Sequence, residues 1–442
     1  MAFKYHRKLT FANNAFEEFT NFPVLIIIDD SGGAYPGLTA ADEIAFYDSD
    51  DVTALSWECA EFNDGGKSYY YVKVPSIAQS DTDYIWVYYG GSTSVEDKTG
   101  VWDSNYDAVY HMKDETTSTI LDSTSNNNDG TKKGANEPIE ITGDIGKAQD
   151  FDGNDDYIQA NTGITGYPLT MEVYFKSDVS VTSNFISLND ISASSIFYNI
   201  RRSGGNKQLV LEVRNTTSYT IISPSALLNI FDWFTGATVL RSATDRELYL
   251  NGESVGVDND NVVFSANVDK LLMGVLRLVS PAYWLNGKIA EVRISNIERS
   301  DNYIAAQDKI LRQQDYVTFG EQIIELSVLD GFKLGDSVST DMTASLVAID
   351  GIVIGDSRAE TMAAILIATD GLKLGDTSII GMVAAVLATD GITLSDSGAS
   401  VVLKSISLTI GFDVRTLTAQ FENRAFTSEL NKRDLISKTR MT

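Results

Sequence analysis

The 442-residue sequence contains a single cysteine, two histidines and seven prolines. With one cysteine, an intramolecular disulfide is excluded, and the alternating run SWECAEF makes Cys59 more typical of a small core residue than of a nucleophile. His6 and His111 are far apart, which disfavours a histidine-based metal or acid–base site. No run reaches the roughly 18 apolar residues of a membrane span, and the N-terminus lacks a signal-peptide core. These absences predict a protein that is made in the cytoplasm and does not insert into a membrane.

Basic residues are also scarce: 34 stand against 61 acidic ones, which gives a formal net charge of -27. A surface this acidic repels nucleic acid and anionic lipid. It suits a soluble particle or a calcium-binding protein, and general solubility explains it equally well. The chain is 43% hydrophobic, rich in turn residues, and carries short alternating runs of Val, Ile, Tyr and Phe. This composition predicts an all-β protein of two to four domains.

Residues 1–100 contain six strand-like runs, each bounded by Gly, Asp, Asn or Pro, and predict a small antiparallel β-sandwich. The runs FPVLI, IAFYDSD, YYVKVPSI and IWVYYGGST also resemble a short domain of unknown function. That domain is common in surface and phage proteins, where it often precedes a laminin-G-like domain. The resemblance implies no chemistry.

Residues 101–320 read as short strands separated by Asx- and Gly-rich turns, which favours a two-sheet jelly roll. The runs QDFDGNDDYI, ELYLNGESVG and IAEVRISNIERS, in this order, resemble the concanavalin A-like, laminin-G-like jelly roll, and the last of them is the most specific. The aromatic strand of that family corresponds to VYFK in this sequence.

Clustered oxygen ligands occur in QDFDGNDDYI, whose spacing is similar to the start of a calcium loop. The candidate metal ligands are Asp150, Asp152, Asn154, Asp155 and Asp156. No EF-hand follows, and in the laminin-G resemblance this run is mostly structural, so a structural turn is the alternative. The loop DSTSNNNDG, 122–130, predicts Asx turns, with a second cation site as the weaker alternative. No cofactor is required by either interpretation.

Loops of a jelly roll gather at its ends and often bind ligands, so exposed aromatic residues there are candidates for stacking on sugar rings. The candidate ligand-binding residues are Tyr198, Tyr219, Tyr283 and Trp284. Of these, Tyr283 and Trp284 follow a proline turn and are the best surface candidates. Trp233, in IFDWFTGATVL, is predicted to lie in the core.

A glycoside hydrolase on this fold needs two carboxylates on one strand face, and the sequence offers no Glu-x-Asp-x-x-Glu pattern. With only two histidines, a Ser-His-Asp set is not expected either. We therefore predict a binding protein rather than an enzyme.

Asp-Gly recurs every 20 residues, at 330, 350, 370 and 390, with no insertion. Met342, Met362, Met382 and Val402 hold one repeat position. The runs between them favour strands, and Asp-Gly indicates a two-residue hairpin turn. A 20-residue unit cannot bury its apolar faces alone, so residues 321–410 predict stacked repeats that associate as a homo-oligomer, with a trimer favoured.

Residues 411–442 place arginines nine apart, at 415, 424 and 433, and predict a three-stranded β-meander. Gapless Asp-Gly repeats that end in such strands resemble the C-terminal parts of structural proteins in tailed bacteriophages.

Together these features predict a structural virion protein of a tailed phage, assembled in the host cytoplasm and located on the tail. We expect a tail fibre or similar appendage that contacts other virion proteins and binds host-surface polysaccharide through its jelly roll. Decoration of the capsid or tail tube is the alternative, and a glycan depolymerase is a weaker one.

Overall fold

The structure is a computed structural model that describes residues 3–134, 137–193, 195–216, 218–222, 227–276, 279 and 281–328, and beyond them only strand segments up to 428. Side chains are described for the same residues except 218–221 and those from 324 on. The chain divides into two compact units, Lys8–Phe319 and a second that joins Met1–Arg7 to Gly320–Thr442. No helix among the described residues is long and apolar enough to cross a membrane.

Strands dominate the structure, as the composition predicts. In the first 100 residues the strands are β1 (Tyr5–Phe11), β2 (Phe19–Asp29), β3 (Ile44–Tyr47), β4 (Trp57–Glu61), β5 (Lys67–Ile77) and β6 (Tyr84–Tyr89), followed by the short helix α1 (Lys98–Val101). The next strands are β7 (Tyr106–Tyr110), β8 (Asp114–Thr116), β9 (Thr119–Ile120), β10 (Gly130–Lys133), β11 (Ile139–Thr142), β12 (Lys147–Asp152), β13 (Tyr157–Asn161), β14 (Leu169–Ser177), β15 (Ser183–Asn189), β16 (Ile196–Arg202), β17 (Leu209–Asn215), β18 (Ser218–Ile222), β19 (Trp233–Ser242), β20 (Asp245–Leu250), β21 (Glu253–Asp258), β22 (Lys270–Met273) and β23 (Asn286–Ser295). Helix α2 (Asp301–Asp308) then continues into a π-helical turn (Lys309–Gln313).

The six predicted N-terminal strands are all present and form a sandwich. Strands β2, β5 and β4 make one antiparallel sheet, and β3, β6 and β1 lie in the other. In β6 the buried residues occupy every second position, because successive side chains of a strand point to opposite faces of the sheet and one face packs inside the sandwich.

Two large antiparallel sheets form the predicted jelly roll. One has the order β18-β17-β16-β15-β22-β13-β10-β9-β8, and the other β11-β12-β23-β14-β19-β20-β21, with β7 also paired to β23. Their facing sides bury a contiguous apolar core that includes Phe151, Phe175 and Leu271. The sandwich and the jelly roll share one compact unit. Phe22 of the sandwich, for example, makes an edge contact with Tyr303 of α2, with ring centroids 5.2 Å apart.

The repeats form strands, but their pairing differs from the prediction. Long strands β24 (Val317–Val328), β26 (Val338–Ala348), β28 (Arg358–Ala368), β30 (Ser378–Ala388) and β32 (Val401–Leu408) make one parallel sheet, and short strands β25 (Phe332–Leu334), β27 (Ile352–Ile354), β29 (Leu372–Leu374) and β31 (Ile392–Leu394) make another.

Pairing is in register at the step of 20, with Met342 opposite Met362 and Met362 opposite Met382. A register shift then places Met382 opposite Val401 rather than Val402. The strands that flank each Asp-Gly belong to different sheets, so the hairpin interpretation is wrong: a 20-residue coil brings equivalent strands side by side and parallel. The Asp-Gly residues themselves lie outside the described residues.

The last segment contains two of the three predicted strands. Strands β33 (Leu417–Phe421) and β34 (Arg424–Ser428) pair antiparallel as a hairpin, with Phe421 opposite Arg424. The third predicted strand, around Arg433, lies outside the described residues.

Candidate functional site

The acidic run 152–157 and the aromatic candidates Tyr283 and Trp284 lie at one rim of the jelly roll. The run 152–157 crosses from β12 in one sheet to β13 in the other. Asp152 is registered opposite Asn286 at the start of β23, and Tyr157 opposite Lys133 at the end of β10. Three chain segments therefore meet here, around residues 133–134, 152–157 and 283–286.

Three of the five predicted metal ligands come together at this rim. One carboxylate oxygen from each of Asp152, Asp155 and Asp156 lies within 4.8 Å of the others; we call these residues the acidic cluster. Asp156 is the buried member, with 4% of its surface exposed. Its Oδ2 accepts a hydrogen bond from the Asp152 amide at 3.0 Å, whereas its buried Oδ1 has no hydrogen-bond partner among the described residues.

Within the acidic cluster, the pKa values of Asp156 and Asp152 shift in opposite directions. Burial raises the pKa of Asp156, and the neighbouring carboxylates of Asp152, Asp155 and Asp150 raise it further, against one hydrogen bond from the Asp152 amide that lowers it. Hydrogen bonds from the side chain and backbone of Asn154 instead lower the pKa of Asp152. The charged form of Asp156 is thus disfavoured by its surroundings, whereas that of Asp152 is favoured.

The other two predicted ligands have separate roles. The Asp150 carboxylate pairs with Lys288, with Nζ 3.1 Å from Oδ1. Asn154 donates its side-chain amide to Asp152 Oδ2 at 2.9 Å and its backbone amide to Oδ1 at 2.7 Å, which closes an Asx turn.

The 122–130 loop is built as a turn, as the sequence predicts. Asp122 is buried, and its carboxylate accepts hydrogen bonds from the amides of Val109, Thr124 and Asn128 and from the Thr124 hydroxyl, at 2.8 to 3.0 Å. Because its lone pairs are used by protein donors, this carboxylate serves the fold rather than a cation.

Tyr283 and Trp284 lie at the same rim as the acidic cluster. Tyr283 is 39% exposed, and the Arg201 guanidinium lies 5.5 Å from the centre of its ring. Trp284 is half-buried, and its ring centroid lies 6.1 Å from that of Tyr157, which follows Asp156 directly. Sequence reasoning did not single out Tyr157 as a binding residue, although its place after the acidic run puts it beside Trp284.

The other aromatic predictions fare differently. Tyr198 is fully buried and stacks on Phe264, and its hydroxyl accepts a hydrogen bond from the Ser265 amide, so its prediction as a surface ligand-binding residue is wrong. Strand β16 buries its residues on both faces, which places Tyr198 in the core. The side chain of Tyr219, on β18, lies outside the described residues. Trp233 is half-buried and stacks on Tyr174 instead of lying in the core.

Backbone strain also accumulates near the aromatic rim. Tyr283 (φ 61) and Phe231 (φ 69) both adopt left-handed conformations that bulky residues rarely take. Phe231 is 60% exposed, and its amide donates to the Ser177 carbonyl at 2.9 Å. Strained, exposed aromatic residues are typical of binding surfaces. Phe231 was not predicted as a surface residue, because the run IFDWF reads as core.

A second charged cluster lies between the sandwich and the jelly roll, and sequence reasoning missed it. His111 Nδ1 is 2.7 Å from Glu291 Oε1, and Nε2 is 3.2 Å from Glu58 Oε2. Trp102 Nε1 donates to Glu58 Oε2 at 2.7 Å, and the Ser123 hydroxyl donates to Oε1 at 2.5 Å. We call Glu58, His111 and Glu291 the histidine cluster.

The histidine cluster is buried and electrically complementary. Burial lowers the pKa of His111, but the carboxylates of Glu291 and Glu58 outweigh it and raise the pKa to about 10. Burial likewise raises the pKa of Glu58, and the charge of His111 and the hydrogen bonds reverse this, so that the net shift is downward. The raised pKa favours the imidazolium form of His111, which links Glu58 on β4 of the sandwich to Glu291 on β23 of the jelly roll.

A cavity of about 240 Å³ adjoins the histidine cluster and is lined by charged residues of both signs, including Glu96, Lys98 and Lys113. Cys59 also lines it, and burial raises the pKa of its thiol to about 12. A thiol with so high a pKa is a poor nucleophile, in agreement with the prediction from the sequence.

Two regions of the chain match protein-family models. Residues 152–305 match the concanavalin A-like lectin/glucanases superfamily model, which confirms the predicted jelly-roll fold. Residues 40–129 match a domain of unknown function, DUF2341, as the N-terminal resemblance implies, although the match extends past residue 100. No curated protein matches the chain.

One similar solved structure is domain 4 of AbnA, an extracellular GH43 arabinanase from Geobacillus stearothermophilus, in complex with arabinotriose. It is 17% identical to this chain, and the match covers 46% of this chain and 97% of that domain, with a TM-score of 0.39. The binding domain of botulinum neurotoxin DC, in complex with rat synaptotagmin II, matches at 14% identity over 47% of this chain and 52% of its own, with a TM-score of 0.36. The binding domain of Paraclostridial Mosquitocidal Protein 1 matches at 13% identity over 46% and 52%, with a TM-score of 0.38. The chain spans about half the length of these two toxin domains.

Proposed function

We propose that the jelly roll binds carbohydrate at its aromatic rim. The observation that carries this proposal is the adjacent pair Tyr283 and Trp284, partly exposed at one rim of a fold that matches a lectin and glucanase superfamily model. Aromatic faces stack on the apolar faces of sugar rings, and Arg201 beside Tyr283 adds a hydrogen-bond donor. No covalent chemistry is required.

Binding to a panel of bacterial surface polysaccharides tests this proposal on the full chain. We expect Trp284→Ala and Tyr283→Ala each to weaken binding at least about tenfold, about 1.4 kcal/mol. Trp86→Ala, at a half-buried tryptophan of the sandwich, is the matched control and should leave affinity unchanged. Equal affinity of wild type and both rim variants would contradict the proposal.

The whole chain fits, in our proposal, a tailed-phage virion protein that acts as a tail fibre or similar appendage. The support is the association of a lectin-like fold with in-register parallel repeats, since stacked repeats build long, multi-copy structures. Several linked jelly rolls on a homotrimer gain avidity for host polysaccharide from weak individual sites.

Immuno-electron microscopy with an antibody against the jelly roll separates this role from its alternatives. Label at the tail tip or fibres supports the appendage, and label on the capsid or along the tail tube supports decoration. The prediction that the chain is not an enzyme is tested separately: shortening of the bound polysaccharide after incubation would establish a depolymerase instead.

A further inference from the structure

We propose that the acidic cluster binds a divalent cation of the calcium class at the rim of the jelly roll. Calcium binds clusters of carboxylate and carbonyl oxygens, and three carboxylates within 4.8 Å of one another supply such a set. This inference stands on the geometry of the cluster and does not rest on carbohydrate binding.

The buried carboxylate of Asp156 is the independent sign of a missing ligand. A polar atom that is removed from water and left without a hydrogen-bond partner is costly, so native proteins pair nearly all such atoms. Asp156 Oδ1 is such an atom in a residue only 4% exposed. Asp152 and Asp156 form no ion pair with any residue that the structure describes, so the protein supplies no cation of its own to either carboxylate.

Gly134 lies close to this oxygen and places no side chain against it. A Cβ atom built on Gly134 would lie 2.9 Å from Asp156 Oδ1 and 3.0 Å from the carbonyl oxygen of Asp155. Two acceptor oxygens therefore converge on the same side of Gly134, whose φ of 131 is also unfavourable for other residues. Converging acceptors repel one another unless a cation or a donor lies between them.

The surrounding hydrogen bonds hold the cluster in place before a cation binds. Asn154 fixes the Asp152 carboxylate, and Asn286 Nδ2 donates to the Asp152 carbonyl at 2.9 Å. Such partners orient ligands in metal sites and reduce the entropy lost on binding. With one exposed and one half-exposed carboxylate, we expect a dissociation constant on the order of 10⁻⁴–10⁻³ M for Ca²⁺, as in extracellular calcium modules.

Terbium luminescence on the full-length chain provides the test. Tb³⁺ replaces Ca²⁺ at oxygen sites, and Tyr157 and Trp284 beside the cluster can sensitise its emission. We expect saturable emission that Ca²⁺ displaces and Mg²⁺ displaces poorly, because Mg²⁺ dehydrates reluctantly and demands octahedral geometry. Asp156→Asn and Asp155→Asn should each weaken binding at least about tenfold, which corresponds to about 1.4 kcal/mol.

Asp50→Asn is the matched control on this acidic chain. The Asp50 carboxylate lies on an exposed turn and accepts hydrogen bonds from Thr53 and Val52, so its substitution should not change the emission titration. Equal titrations for wild type, Asp155→Asn and Asp156→Asn would overturn the proposal and assign the binding to diffuse surface charge. Circular dichroism of each variant confirms that a loss of binding does not reflect unfolding.

Discussion

The histidine cluster and the acidic cluster each contain a buried carboxylate oxygen without a hydrogen-bond partner among the described residues, Glu291 Oε2 and Asp156 Oδ1, but they differ in the basic groups around them. The His111 ring lies between Glu58 and Glu291, and the Arg293 guanidinium lies 3.6 Å from Glu291 Oε2. Hydrogen bonds from Trp102 and Ser123 complete the Glu58 carboxylate. At the rim, Asp156 lies close to the carboxylates of Asp152 and Asp155, and its buried Oδ1 has no hydrogen-bond partner among the described residues. The protein therefore supplies the counter-charge at the histidine cluster, whereas in our proposal a bound cation supplies it at the acidic cluster.

Removal of the imidazole should have the largest effect on stability. His111→Ala leaves the carboxylates of Glu58 and Glu291 buried without the imidazole between them, and we expect the free energy of unfolding to fall by about 3–5 kcal/mol. Urea denaturation of the full chain measures it. Lys113→Ala, which breaks a half-exposed ion pair with Glu61, is the control and should cost less than about 1 kcal/mol. A loss below about 1 kcal/mol for His111→Ala would contradict the structural role of the histidine cluster.

Stability should also depend on the charge of His111. The carboxylates of Glu291 and Glu58 raise the pKa of His111 to about 10 in the folded protein, above its ordinary value of about 6.5. Stabilisation by a base with a raised pKa is complete below the unfolded value and is lost as the pH rises through the folded value. We expect the stability difference between wild type and His111→Ala to shrink as the pH rises from about 7 to about 10. A difference that stays constant over this range would show that His111 is neutral in the fold.

An Asp→Asn substitution in each of two loops compares a carboxylate whose oxygens accept hydrogen bonds, Asp122, with one that has an oxygen without a partner, Asp156. In the wild type, backbone amides and the Thr124 hydroxyl donate to both oxygens of the Asp122 carboxylate. In Asp122→Asn an NH₂ group would face some of these donors, and we expect the free energy of unfolding to fall by about 1–3 kcal/mol. In Asp156→Asn, the side chain loses its charge, and repulsion from the carboxylates of Asp152 and Asp155 falls. Without added cation, Asp156→Asn should therefore leave stability unchanged or raise it by up to about 1 kcal/mol.

Thermal unfolding in a chelating buffer measures the stability of both variants relative to the wild type. Comparable destabilisation by Asp122→Asn and Asp156→Asn would mean that both carboxylates serve the fold, and the distinction between the loops would fail.

The strands were predictable because their signals are local. All six N-terminal strands follow from alternating runs such as YIWVYY, and the aromatic rim follows from the turn before Tyr283. The step of 20 also identifies which repeat residues are equivalent, but it fits a hairpin array and a parallel coil alike, since both place equal residues side by side. The strand pairing decides between the hairpin array and the parallel coil: the long strands β26 and β28 pair with each other, and so do the short strands β27 and β29.

The charged clusters were predictable only in part, because their partners come from distant parts of the chain. The five acidic-run candidates were identified from their spacing, but the separation of Asp150 from the cluster depends on Lys288, 138 residues away. His111 meets Glu58 and Glu291 across 53 and 180 residues, and no local pattern marks such a meeting. Tyr198 was misplaced for a related reason, since β16 is buried on both faces and its sequence does not alternate.

Thermal unfolding with and without Ca²⁺ shows whether a cation completes the acidic cluster, as we claim. A ligand that binds only the folded chain raises its stability by RT ln(1 + [L]/Kd), so about 10 mM Ca²⁺ should raise the melting temperature of the wild type if Kd is below about 1 mM. We predict that this rise is lost in Asp156→Asn and kept in Asp50→Asn. An equal rise in Asp156→Asn and wild type would contradict the claim.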